Sequence, residues 1–382
     1  MHFGLVFLAH ALGALSILSV LTAGPHISAD LELSPLQIGG LASVYSAALA
    51  VASLPAGLVT DRLGTRTALS FAATTIATGL VLAGTSQGLV QLGAGMMLCG
   101  AGYGLINPAA GVAVTLWFSP KWRATLLSLK QTGVPVGAAL GSLTALLGKN
   151  WGWQAGILCA AAIALVAGCL FLLLLPSGQV LPRQTSFSKA RLAEILTTPG
   201  LGRANLAAGL TNGLQFALWA HLPELLQTGT TAAAALLGVC LAALHIGTFT
   251  GRVIWGALTD KLCNGDAAVA LCWLCVIGLA GLALLGVNTR IESPLLAVIA
   301  CFVLGFTTCA AVGLHVALTA RLAPEHLLGG AMGYTMLVTN IGGVIVPFSL
   351  GLAMAVGGAS AGSLLLAFFL FSALALLRVF RS

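Results

Sequence analysis

Twelve apolar stretches, each about the length of a membrane-spanning helix, follow one another along this chain and leave little sequence for anything else. A helix needs roughly 20 apolar residues to cross the hydrocarbon core of a bilayer. Stretches of that kind fall near 3–23, 35–58, 68–88, 92–116, 125–147 and 152–176, and again near 201–223, 231–257, 267–287, 293–318, 328–352 and 358–380. Each is too long and too uniformly apolar for the alternating strands of a barrel. Of 382 residues, 59% are hydrophobic, 48 are Gly and only 7% are charged. That charge is too sparse to clothe a soluble globule of this size. The expected fold is an all-α membrane protein with twelve transmembrane helices.

The sparse cations orient the helices. One set of connections carries Arg62 and Arg66, Lys121 and Arg123, then Arg183, Lys189, Arg191 and Arg203, followed by Lys261, Arg321, Arg378 and Arg381. The alternate connections carry only Lys149 and Arg290. The positive-inside rule then places both termini in the cytoplasm of a cell with the chain as a multi-pass protein of its inner membrane. The first stretch lacks a basic lead-in and an Ala-x-Ala site, so it reads as a retained helix rather than a signal peptide. The net charge of +7 is mostly this topological bias, and no basic patch with interleaved aromatics points to nucleic acid. Eight of nine cysteines lie in apolar runs and Cys263 beside a turn, a pattern of inert thiols. Cys272-x-x-Cys275 has no second ligand pair, so neither a metal nor a cofactor is implied.

The two sets of six are separated by the longest polar connection, which divides the chain into a helical bundle over 1–176, a linker over 177–200 and a second bundle over 201–382. A short surface helix is expected within the linker near 188–196. Each set carries the same turn between its second and third spans. The first reads Gly57-x-x-Thr60-Asp61-Arg62-Leu63-Gly64-Thr65-Arg66, and the second Gly256-x-x-Thr259-Asp260-Lys261-Leu262-Cys263. The repeat distance is about half the chain, as a duplicated unit gives. Gly133, Gly137 and Gly141 in span five and Gly343, Pro347 and Gly351 in span eleven form two small faces suited to close helix approach.

These residues resemble the major facilitator superfamily of secondary transporters. The signature Gly57-x-x-x-Asp61-Arg62-x-Gly64-x-Arg66 and its degenerate copy, preceded by Gly251-Arg252, carry the resemblance, which extends over essentially the whole chain. It implies two pseudo-symmetric six-helix bundles, alternating access and a monomer. It also implies a gating network in which Asp61, Arg62 and Arg66 act on one side and Asp260, Arg252 and Lys261 mirror them, with Arg123 grouped among the gate residues. Cys263 in place of the second glycine departs from the pattern. The run Asn107-Pro108, Trp117-Phe118, Arg123 and Lys130-Gln131-Thr132-Gly133-Val134-Pro135-Val136-Gly137 resembles bacterial members that carry nitrate, cyanate and organic anions. It lacks the Gly-x-x-x-Gly-Pro-x-x-Gly-Gly order of drug–proton antiporters.

Polar groups inside a membrane are costly unless they face a cavity or a partner. The candidates for a substrate site are His10, Asn107, Lys130, Gln131, Asn212, Gln215, Trp219, His245, His315 and Asn340. The resemblance puts His10, Asn107, Asn212, Gln215 and His315 on the spans that line a central cavity. Lys130, one to two turns into span five, either complements an anion or snorkels as a structural cation. Arg252 is read as a gate residue rather than a ligand, and Trp219 as cavity wall or packing. All nine acidic residues can be placed at helix ends or in connections, so no midplane carboxylate offers a proton relay. Histidine can carry a proton near neutral pH, and His10, His245 and His315 are the candidates. The expected function is secondary transport of a small anionic solute, with a proton or counter-solute as coupling partner. Export of neutral or drug-like compounds and a non-transporting sensor are the alternatives. No nucleotide-binding loop or catalytic cluster suggests an enzyme.

Overall fold

The computed structural model describes residues 2–33, 35–176, 189–226 and 231–381. Residues 177–188 of the expected linker lie outside the described residues. Among the described residues every regular element is helical. The first group is α1 (His2–Thr22), α2 (Gly24–Asp30), α3 (Pro35–Leu63), α4 (Thr65–Gly84), α5 (Leu89–Trp117), α6 (Arg123–Lys130), α7 (Gly133–Trp151) and α8 (Trp153–Leu174). Helix α9 (Lys189–Thr197) is the short helix expected near 188–196. Then come α10 (Leu201–Leu225), α11 (Thr231–Leu262), α12 (Ala267–Ile291), α13 (Pro294–Phe306), α14 (Val312–Leu322) and α15 (Leu328–Arg378).

Eight helical stretches among the described residues are long and apolar enough to cross a membrane. The pair Gly40–Ser53 and Pro55–Leu63, bent by 51°, makes a ninth. The bend falls where Pro55 removes a helical hydrogen bond. One of the eight stretches is Glu325–Arg378, which at 54 residues is far longer than one crossing requires. It is broken at Gly357 and Gly358, the latter with φ +65°.

Two expected spans are broken as well. The stretch near 125–147 divides into α6 and α7 at Gln131–Thr132. Pro135 is the cause, because it has no N–H to continue the ladder and its ring crowds the carbonyl four residues back. The stretch near 293–318 divides at Thr307 (φ −108°, ψ −83°), with a single 3₁₀ turn over Thr308–Ala310 before α14. The first break falls on the polar run Lys130-Gln131-Thr132 ahead of Pro135 and the second on Thr307-Thr308, each inside a stretch whose length and apolar content read as one span.

The chain forms two compact units, each discontinuous in sequence. One contains Met1–Phe118, Lys130–Ile195 and Ala323–Leu337, and the other Ser119–Leu129, Leu196–Leu322 and Val338–Ser382. In the first, α1 packs on α7 and α5, while α4 packs on α5 and α8. In the second, α13 lies between α11 and α12, and α10 packs on α14. Large apolar side chains such as Phe71, Leu173, Phe348 and Phe368 point outward, as a lipid-facing surface requires. Trp151 is exposed at a helix end, whereas Trp153 is buried and donates from Nε1 to Asp30 at 2.9 Å. Interfacial anchoring therefore accounts for the first of these tryptophans and not for the second.

Candidate functional site

In the first unit a polar cluster sits where α6 ends. Lys130 is the last residue of α6, and its side chain is completely buried, as is that of His10 on α1. Lys130 Nζ lies 3.0 Å from His10 Nε2, and the same Nε2 lies 2.9 Å from Asn107 Oδ1 on α5. A helix C-terminus is a favourable place for a cation, since its last carbonyls carry negative partial charge. The small face of α7 brings His10 into reach. A Cβ on Gly133 would stand 2.6 Å from the Phe7 carbonyl and 3.1 Å from His10 Cβ, and one on Gly137 would overlap the Ala11 carbonyl. Tyr103 meets the His10 ring edge-on at 6.4 Å, and Tyr45 donates to the Gly13 carbonyl at 2.9 Å. Gln131 is buried beside Lys130 in the helix break.

In the second unit Trp219 on α10 contacts Phe216 edge-on at 5.2 Å and His245 of α11 at 5.8 Å. His245 is exposed, while Gln215 and Asn212, on α10, are buried. Asn212 Nδ2 donates to the Thr339 carbonyl at 2.9 Å, and Asn340 is the half-buried next residue of α15. Gln215 Oε1 and Trp219 Nε1 are buried and have no hydrogen-bond partner among the described residues. Arg252 is buried on α11, seven residues from His245 on the same face.

His315, one turn into α14, is held differently from His10. Its Nε2 lies 2.8 Å from Thr211 Oγ1. Thr211 already gives its single hydroxyl proton to the Ala207 carbonyl at 3.0 Å. The imidazole is therefore the donor, and Nδ1 is left as a buried acceptor without a partner among the described residues. Thr211 carries no sequence signal of this role, since many helical threonines bond the preceding turn.

The two signature aspartates do equivalent work. Asp61, 6% exposed, accepts from the amides of Gly329 at 2.7 Å and Gly330 at 2.9 Å. These are free N–H groups in the first turn of α15, where positive partial charge favours a carboxylate. Asp260 accepts from Ala124 at 3.1 Å and Thr125 at 2.7 Å in the first turn of α6. Gly57 is needed because a Cβ there would overlap the Gly329 carbonyl. Gly64 adopts φ +78° immediately before α4. In the second copy Cys263 is not left-handed. The turn instead runs on to Asn264 (φ +50°) and Gly265 (φ +78°), so the missing glycine is displaced by two positions.

Arg62 and Lys261 are exposed and Arg66 is half-buried, and none forms an ion pair among the described residues. Arg123 starts α6, with its buried Nε lacking a partner among the described residues. Helix α9 adds a contact that sequence reasoning did not assign. Its fully buried Ile195 lies against Gly330. Its Arg191 donates to the His326 carbonyl at 3.0 Å, and Glu194 meets His326 Nε2 at the same distance. Among the described residues no group of His, Cys, Asp and Glu could hold a metal ion.

Residues 6–347 match the family model of the Major Facilitator Superfamily. The 3-(3-hydroxy-phenyl)propionate transporter of Escherichia coli is 27% identical over 376 residues, 94% of this chain and 88% of that protein. The gentisate transporter of Corynebacterium glutamicum is 24% identical over 86% of this chain and 75% of its own. The membrane sensor protein UhpC of Escherichia coli is 26% identical over 68% of this chain and 64% of its own. Among solved structures, the Escherichia coli fucose:proton symporter FucP superposes with a TM-score of 0.76 at 20% identity, over 100% of this chain and 98% of that one. The human organic anion transporter MFSD10 gives 0.76 at 17%, over 98% of each. At these identities the superpositions establish the fold.

Proposed function

The chain belongs to the Major Facilitator Superfamily, a family of membrane transporters and not of enzymes, and from that premise we propose that it moves a small organic carboxylate across the cytoplasmic membrane by alternating access. The observation that carries this reading is the buried Lys130 ammonium at a helix break, with His10 against it. An ammonium in such a setting gains most from an anion that it meets directly, because low dielectric strengthens the pairing. Two relatives are named for aromatic hydroxy acids, 3-(3-hydroxy-phenyl)propionate and gentisate, which supports a carboxylate on an aromatic ring. Within the second unit, Trp219, Phe216 and His245 form an aromatic group of their own, the kind of surface on which an aromatic ring stacks.

Twelve crossings with both termini in the cytoplasm complete the reading, divided as 1–176, 177–200 and 201–382. Splitting Glu325–Arg378 at its double glycine brings the nine candidate crossings to ten, and the reading takes α7 and α10 as the other two. The caps made by Asp61 and Asp260 serve as gate bonds that must break when the cytoplasmic side opens. Arg62, Arg66, Lys261, Arg123 and Arg252 tune the charge around them. The protein works as a monomer.

The likeness to UhpC favours one second reading, a membrane sensor that binds solute without moving it. Proteoliposomes separate the two. Counterflow of radiolabelled 3-(3-hydroxyphenyl)propionate and gentisate is measured beside a neutral sugar, with Lys130→Ala in parallel. Saturable flux of the acids alone, lost in the variant, is expected. Flux of the neutral sugar independent of Lys130 overturns the anion assignment, and saturable binding without flux selects the sensor.

A further inference from the structure

We propose that Tyr103 selects the ring of the solute: it presents one side of its phenol to an aryl carboxylate held at Lys130, and so favours aromatic acids over saturated acids of the same length. This rests on the carboxylate-transport reading above and adds the residue that recognises the ring.

The argument begins at Gly13 on α1. A Cβ there would overlap Cγ, Cδ2 and Cε2 of the Tyr103 ring, so only a hydrogen fits against it. The Gly13 carbonyl accepts from Ser16 Oγ at 2.8 Å and from Tyr45 Oη of α3 at 2.9 Å, which fixes the backbone at that point. One side of the Tyr103 ring therefore rests on main chain that cannot rotate away. A ring seated in this manner loses little conformational freedom when a ligand meets its other side, and rigid aromatic side chains make good anchors for that reason.

The accessible part of the ring is turned away from lipid. Around α5, Val90 and Met97 mark the lipid-facing side. Gly100 and Gly104 pack on α3, where a Cβ would meet the Tyr45 and Leu49 carbonyls, and Gly102 packs on α4 at the Ala72 carbonyl. Helical spacing sets Tyr103 and Asn107, one turn apart, on the side that none of these occupies. Both are half-buried, whereas the three residues between them are buried.

The ring also stands beside the charge, with His10 as the common neighbour. His10 Nε2 lies 3.0 Å from Lys130 Nζ, and its imidazole meets Tyr103 edge-on, with centroids 6.4 Å apart and planes at 81°. A carboxylate on the Lys130 ammonium places an aryl group, joined to it directly or through two methylenes, alongside His10 and within reach of Tyr103. Two aromatic rings attract in offset or edge-to-face arrangements, where the negative face of one meets the positive edge of the other. A saturated ring lacks that quadrupole and gains dispersion alone. The difference corresponds to about two- to tenfold in affinity.

The test uses the purified full chain and two acids that differ only in the ring, 3-phenylpropionate and 3-cyclohexylpropionate. Titration calorimetry gives both dissociation constants, and competition against counterflow of radiolabelled 3-(3-hydroxyphenyl)propionate in proteoliposomes checks them. The wild type is expected to favour the phenyl acid by about two- to tenfold. Tyr103→Leu is expected to bring the ratio close to one, and Tyr103→Phe, which keeps the ring, to restore it. Gly13→Ala displaces the ring without removing it and is expected to lower the ratio too. Should that variant fail to fold, the two Tyr103 variants carry the test alone. A mere loss of packing weakens both acids alike and leaves their ratio standing. Equal affinities in the wild type, or a ratio unchanged in Tyr103→Leu, overturn the proposal and leave carboxylate transport in place. So does a ratio that falls in Trp219→Leu alone, which assigns the ring contact to the second unit. Binding of neither acid by the wild type overturns the carboxylate reading and the ring contact with it.

Discussion

Asp61 and Gly329 stand 268 positions apart in sequence, yet the Asp61 carboxylate accepts the Gly329 amide proton at 2.7 Å and shares itself with Gly330 at 2.9 Å. Burial pushes the Asp61 carboxyl up to about 6 against the pull of these two donors, so at neutral pH it is charged and accepts both bonds. Asp61→Asn keeps the shape but leaves one acceptor oxygen and turns an N–H₂ toward an N–H. A hydrogen bond to a charged group is worth about 1.5–3 kcal/mol, so a loss of that order is expected. Asp260→Asn costs less, because Asp260 is half-buried and water replaces part of its interaction. Thermal unfolding of both variants in detergent checks the ranking, and an equal or reversed order would contradict it.

Gly57 is constrained by the same contact. Its neighbours are backbone atoms of Gly329 and Gly330, which cannot rotate away as a side chain can. Gly57→Ala is expected to destabilise by about 1–3 kcal/mol, the usual range for overpacking. Gly202, near the start of α10, has open space at its Cβ position. Gly202→Ala is expected to raise stability by up to about 1 kcal/mol, from helix propensity alone. Paired melting curves test both, and a neutral Gly57→Ala would mean that the close approach is absent in the membrane.

What could be read from the sequence was what local chemistry dictates. The apolar stretches announced helices, and Gly64 announced a left-handed turn, which its φ of +78° fulfils. Lys130, His10 and Asn107 could be picked out as costly intramembrane groups, but their mutual distances could not, because the helix break at Gln131–Thr132 depends on Pro135 acting against a propensity that otherwise continues. The partners of Asp61 and Asp260 were invisible for another reason. They are backbone amides, and any residue supplies one. Thr211 escaped because its contact with His315 joins two helices 104 positions apart. The displaced glycine at 265 shows the limit of motif matching, since the backbone needs a left-handed residue somewhere in the turn rather than at one fixed offset.

Cys263 gives a pH-dependent readout outside the spans. Burial, with a further push from the Asp266 carboxylate, raises its thiol above the ordinary cysteine value. The thiolate is the reactive form, so a raised value means slow alkylation near neutral pH. A charged maleimide that stays out of the bilayer should label Cys263 more slowly than it labels glutathione. Its rate should climb about tenfold per pH unit while the thiol remains mostly protonated. Labelling at neutral pH as fast as glutathione would sink this description of the turn.

Thr211 and His315 lend themselves to a double-mutant cycle, because their bond at 2.8 Å is buried and its direction is fixed by the Ala207 carbonyl. Thr211→Val removes the acceptor and leaves the His315 Nε2–H buried without a partner. Such a group costs about 1–3 kcal/mol. His315→Leu removes the donor, returns Thr211 to an ordinary helical threonine and takes away the buried Nδ1 acceptor as well. The single change at Thr211 is therefore expected to be the more destabilising of the two. The double variant should recover most of the loss, since replacing both partners by apolar groups is nearly neutral. Melting temperatures of the four proteins give the coupling. Strict additivity would mean that the two side chains do not bond, and the tautomer assigned to His315 would fall with it.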